Sequence, residues 1–109
     1  MADLFKVLGQ AKPSAATLTT GYTVPASTTA VVSSIVVCNQ SSVATSFRIS
    51  LAIAGAADTA AQYLYYDVSI DGNDTFVATI GAGLAATDVV RVYNTLATLS
   101  FNVLGVEIV

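Results

Sequence analysis

The residues best suited to chemistry are Arg48, Arg91, Tyr63, Tyr65 and Tyr66. Each arginine lies in an otherwise small or apolar stretch, SFRIS and VVRVY. A guanidinium there is either a solvated or ion-paired surface group, or an anchor to a carboxylate on another subunit. The tyrosines fall together in QYLYYDV. Their rings suit core packing, a protein interface, or stacking on a sugar or a base. Histidine is absent, which removes the commonest general base, the commonest metal ligand and the Ser–His and Cys–His nucleophile designs. Cys38 is the single cysteine, so no intrachain disulfide forms. With no charged neighbour in sequence to lower its pKa, it is expected to pack as a small hydrophobe. No serine or threonine occupies a nucleophile elbow. Asp71–Gly72–Asn73–Asp74 lacks the closing glutamate of a calcium loop and reads as a turn. Gly81 and Gly83 lack the lysine and strand-to-helix setting of a phosphate loop. These observations predict no enzymatic activity and no catalytic, cofactor or metal site. Arg48, Arg91, Tyr63, Tyr65 and Tyr66 stand as interface candidates.

The elements that position them follow from patterning. The chain has 109 residues, hydrophobic residues make up 54% and charged residues 10%, against an ordinary charged share of about 25%. Such a surface is made of Ser, Thr, Ala and Asn, or it is covered by neighbouring subunits. Four cations and a net charge of −3 give no basic patch for nucleic acid. The uncharged run from Pro13 to Phe47 is broken by prolines and glycine and is dense in Ser and Thr, which is not the pattern of a membrane-spanning helix. The first ten residues carry Asp3 and Lys6 and no long apolar segment, so synthesis and folding are expected in a cytoplasm.

The stretch YTVPASTTAVVSSIVVCN holds the strongest strand signal, Val31–Cys38, apolar or small on both parities. It reads as a central strand covered on both faces or against a neighbouring subunit. Further strands are expected at Thr17–Val24, Thr45–Ala54, Gln62–Ile70, Thr75–Ile80, Asp88–Tyr93 and Leu99–Val109. Leu4–Gly9 reads as a strand or a short arm. Phe47, Ile49, Leu51 and Ile53 share one parity and should face the core. Short connections suggest two hairpins, Val31–Cys38 with Thr45–Ala54 and Gln62–Ile70 with Thr75–Ile80. Gly81–Thr87 reads as a loop. The apolar parity of the last segment changes near Gly105, as a β-bulge there would produce. The sum is an all-β chain: an antiparallel β-sandwich of about eight strands, jelly-roll or immunoglobulin-like. Residues 17–109 form its domain, and residues 1–16 an N-terminal arm or first strand.

YTVPASTTAVVSSIVVCN, QYLYYDVSIDGNDTF and VVRVYNTLATLSFNVLGVEI together resemble small β-sandwich virion structural proteins of tailed bacteriophages. The likeness runs from Leu18 onward. Gly21 stands where the related block carries leucine, which makes that strand edge less apolar. The resemblance implies a capsid decoration (cement) protein that binds and reinforces the lattice of the major capsid protein. A tail, baseplate or fibre accessory module, with host-surface glycan binding through the tyrosines, is the alternative. The expected partners are other virion proteins and further copies of the chain, as a trimer or dimer. The expected location is the virion, assembled in the host bacterial cytoplasm.

Overall fold

The computed structural model describes residues 3–109 and contains eight strands. They are β1 (Asp3–Ala11), β2 (Thr19–Thr23), β3 (Thr29–Asn39), β4 (Thr45–Ala52), β5 (Tyr63–Ile70), β6 (Thr75–Leu84), β7 (Val89–Asn94) and β8 (Leu99–Ile108). Two antiparallel four-stranded sheets stack. Sheet A has the order β1–β8–β3–β6 and sheet B the order β2–β7–β4–β5. Strands β4 and β5 are the one consecutive pair within a sheet; every other connection crosses between sheets. This is the jelly-roll arrangement of an eight-stranded sandwich, not the immunoglobulin one. Met1 and Ala2 lie outside the described residues, so the expectation for residues 1–16 is addressed only from Asp3 onward, where β1 pairs with β8.

Both expected hairpins are therefore corrected. Strand β3 pairs with β6 and β8, and β4 pairs with β5 and β7. The turns at residues 40–44 and 71–74 are arches that carry the chain across the core. A buried side chain holds both arches. Asn39, 1% exposed, donates through Nδ2 to the carbonyls of Val43 (2.9 Å) and Asp71 (3.1 Å), and its Oδ1 accepts from the Ser41 amide. Asn94, also buried, donates to the carbonyls of Pro13 and Ser14 and accepts from the Leu99 amide. Gly72 lies so close to the Ser42 carbonyl that a β-carbon there would collide with it.

The core between the sheets is built from Val32, Ile35, Val37, Phe47, Ile49, Val90, Val92, Leu99, Phe101 and Val103, all essentially inaccessible. Phe47 packs against Phe76 with the rings tilted by 46° and meets the edge of Phe101. Strand β3 is central, as expected, but within one chain only one of its faces is covered: Val31 is exposed, and Val36 and Cys38 are half-buried. Cys38 lies beside Ser100 and Thr75 in the ladder, half-buried rather than in the core. Phe47 and Ile49 face the core and Leu51 packs at its margin, whereas Ile53 leaves the strand in a short 3-10 turn and is exposed. Gly81–Leu84, expected in a loop, extend β6 beyond a distortion at Ile80–Gly81, where Gly81 adopts a φ of 65°.

The parity of β8 has a different origin from the bulge expected at Gly105. Leu99, Phe101, Val103 and Glu107 all point inward, so β8 keeps one phase throughout. The extra residues sit in its neighbours, Leu8 in β1 and Ser33 in β3. Leu104, Val106 and Ile108 are the outer face of sheet A.

Burial sets a clear contrast for testing the packing. Ile49→Ala should destabilise the chain by about 2–5 kcal/mol. Ile53→Ala, at a position 78% exposed, should change stability by no more than about 0.5 kcal/mol. Urea unfolding followed by tyrosine fluorescence measures both.

Candidate functional site

The outer face of sheet B carries an aromatic and charged cluster created by the backbone of β5. Two irregularities interrupt its pairing with β4. Ser50 pairs with Tyr63 and Ile49 with Tyr65, which leaves Leu64 extra. Ile49 pairs with Tyr65 and Phe47 with Val68, so Tyr66 and Asp67 together face the single residue Arg48. Asp67 has a φ of 52°, a left-handed conformation that aspartate tolerates better than most residues. Two residues opposite one is the geometry of a β-bulge. It gives Arg48 two partners. The guanidinium donates from Nε to Asp67 Oδ1 at 2.6 Å and from Nη2 to Oδ2 at 3.3 Å. It also lies 4.1 Å from the centre of the Tyr66 ring. From the other side, the cross-strand neighbour Tyr93 brings its ring to 4.4 Å.

The same irregularities bring Tyr63 and Tyr66, three positions apart, onto one face. Their rings meet edge to face, 5.1 Å between centres and 89° between planes. The Tyr63 hydroxyl donates to Asp58 Oδ2 at 3.0 Å. Burial first, and then this hydrogen bond, raises the Tyr63 hydroxyl above its ordinary pKa. Arg48, Asp58, Thr59, Ala60, Tyr63 and Tyr66 line an open depression of about 510 Å³.

Of the five residues singled out from the sequence, Arg48, Tyr63 and Tyr66 come together here. Tyr65 turns the other way and packs against Phe47 and Phe76 beneath the sheet. Arg91 is used internally: its guanidinium donates to the carbonyls of Ala56 (2.8 Å) and Gly55 (3.1 Å). This holds the loop between β4 and β5 near Ser50 and Ala52, which are buried outside the main core cluster. Asp88 fixes the loop's start by accepting from the Ala54 amide. Sequence reading missed Asp58, Asp67 and Tyr93. An aspartate inside an otherwise aromatic strand was the available sign of the bulge.

A second polar constellation lies between the sheets, where edge strands β1 and β2 approach each other. Glu107 is 5% exposed. Lys6 Nζ lies 2.7 Å from its Oε1, and the Tyr22 hydroxyl donates to Oε2 at 2.6 Å. Both carboxylate oxygens are thus matched by donors, as a buried charge requires. The trio joins β1, β8 and β2 and is a structural pin. The hydrogen bond from Lys6, and then that from Tyr22, hold Glu107 below the usual carboxylate pKa. Burial, and then the bond to Glu107, push the Tyr22 hydroxyl up. Neither residue was marked from the sequence, because a single glutamate in an apolar strand reads as solvent-facing.

Among the described residues, no group of three or more His, Cys, Asp or Glu side chains is placed to hold a metal ion, and no helix is long and apolar enough to cross a membrane. No family model, curated protein or solved structure matches this chain.

The pin has a pH signature. A depressed Glu107 pKa stabilises the fold above the unfolded carboxylate value of about 4.3, and that stability is lost as pH falls through the lower folded value. The raised Tyr22 pKa contributes below about pH 10 and is lost at higher pH. Melting temperature should therefore be level between these limits and fall on either side. Glu107→Gln should lower the plateau and flatten the acid limb in calorimetric scans across pH.

Proposed function

We propose that this chain is a structural subunit of a tailed-phage virion, a capsid decoration protein that docks on the major capsid protein through the outer face of sheet A. The observation that carries the docking surface is that face itself. Across the ladder, Phe5, Val106 and Val31 form one row, Val7 and Leu104 the next, and Val36 and Val77 a third. Phe5 is 81% exposed, and Val7 and Val77 are also more than half exposed. No charged residue interrupts these rows, because Lys6 turns inward to Glu107. Apolar side chains exposed together on one sheet face support a protein interface; Ser34, Thr79 and the hydrogen-bonded pair Gln10–Asn102 share that face with them.

The sheet edges favour docking by a face over strand addition. All four edge strands are interrupted: β1 at Leu8, β2 at Gly21, β5 at Leu64 and Tyr66–Asp67, and β6 at Ile80–Gly81. Such distortions blunt an edge against pairing with another chain. The assignment to a phage particle rests on the likeness of the three segments quoted from the sequence. Jelly rolls also recur in viral capsid and lectin domains, which is an analogy of fold alone. Self-association as a trimer or dimer completes the proposal, with the virion, assembled in the host cytoplasm, as the site of action. A tail, baseplate or fibre position is the second reading, favoured by the aromatic cluster on sheet B.

Copy number separates the two readings: quantitative mass spectrometry of purified particles should find the chain in shell-like stoichiometry. Phe5→Ser with Val7→Ser should abolish co-sedimentation with undecorated shells. The isolated chain should keep its stability within about 1 kcal/mol, since both side chains are exposed. Cryo-EM density for the chain confined to the tail overturns the capsid assignment.

A further inference from the structure

The geometry points to a second binding surface: the depression over Arg48, Asp58, Thr59, Tyr63 and Tyr66 is a site for a neutral pyranose sugar. The inference does not depend on how sheet A is used, because the depression opens on the opposite sheet.

Three features select the ligand class. Tyr66 is 58% exposed, although one side of its ring is occupied by Arg48. An aromatic surface of that kind can stack against the C–H face of a sugar ring. Tyr63 stands at 89° to Tyr66, so the two rings form a corner, not parallel walls. A flat base or indole would be stacked on one side only, whereas a sugar ring, thicker and hydroxylated at its edge, meets both rings. Polar groups stand at that edge. Asp58 uses Oδ2 for Tyr63, which leaves Oδ1 to accept from a sugar hydroxyl. Arg48 uses Nε and Nη2 for Asp67, which leaves Nη1 to donate. Thr59 supplies a hydroxyl at the rim. A few polar groups around an apolar platform, in a volume of about 510 Å³, fit the pattern of small-molecule sites.

Charge and filling exclude the nearest competitors. Asp58 and Asp67 outnumber the single cation Arg48, which disfavours phosphate-bearing or acidic ligands. A quaternary ammonium needs an aromatic cage with an empty centre; here the space between Tyr66 and Tyr93 is filled by Arg48.

The shell of this site is already organised. Arg48 is clamped by two rings and a carboxylate, and its pKa is held above the ordinary value chiefly by the Asp67 hydrogen bond. A sugar would therefore meet a fixed platform.

The test uses the ¹⁵N-labelled chain titrated separately with the methyl glycosides of glucose, galactose, mannose and N-acetylglucosamine, and with choline and adenosine as competitors of other classes. The expected result is saturable shifts, with at least one glycoside, in the amides of residues 58–60, 63 and 66. Asp58→Asn, on an exposed loop, should weaken that binding about tenfold through loss of a charged hydrogen bond. Tyr66→Ala should abolish it. Shifts with choline or adenosine alone, shifts mapping elsewhere, insensitivity to Asp58→Asn, or no shifts with any glycoside each overturn the assignment.

Discussion

Two buried asparagines make this topology possible. A chain that changes sheet at almost every connection must lay its arches across the end of an apolar core, where their backbone groups are shielded from water and still need partners. Asparagine meets that need because one side chain both donates and accepts. Asn39 joins the arch after β3 to the arch after β5, and Asn94 joins the arch after β1 to the start of β8. Four crossings separated in sequence are thereby held at one end of the sandwich. The aromatic core then fixes the spacing of the two sheets around Phe47, Phe76 and Phe101.

The two outer faces present different side chains, and irregular pairing is what separates them. In sheet A the extra residues Leu8 and Ser33 flank a regular β8, and the apolar even-numbered residues of β8 stay outside. In sheet B the bulges of β5 send Tyr65 into the core and gather Tyr63, Tyr66 and Asp67 around Arg48. A largely apolar surface, with Phe5 its most exposed side chain, and an aromatic, charged and hydrogen-bonding one thus occupy opposite sides of a thin sandwich.

The eight strands and their approximate limits were legible in the sequence because alternation of Val, Ile and Phe reports local burial. Which strands pair was not. Asp71–Gly72–Asn73–Asp74 has the residues of a tight turn whether it closes a hairpin or arches between sheets, and only the buried Asn39 beneath it decides. The apolar run of β3 correctly marked a central strand, yet it left open whether its outer face met its own chain or another molecule. The site was half legible. The tyrosine cluster and Arg48 announced themselves by type, but strict alternation fails between the two irregularities of β5, so Tyr65 and Tyr66 exchange the sides it assigns them, while Val68 and Ile70 are back in phase. Arg91 could not be told from Arg48, since its acceptors are backbone carbonyls of Gly55 and Ala56.

The pairing of β1 with β8 joins Asp3 to Ile108, residues far apart in sequence, and β3 must also wait for β8 to complete its ladder. Such non-local closure slows folding, to roughly milliseconds to seconds in all-β domains. A nascent polypeptide on the ribosome therefore cannot close sheet A until β8 has emerged. Products terminated before β8 lack the strand with which both β1 and β3 pair, so sheet A cannot form in them.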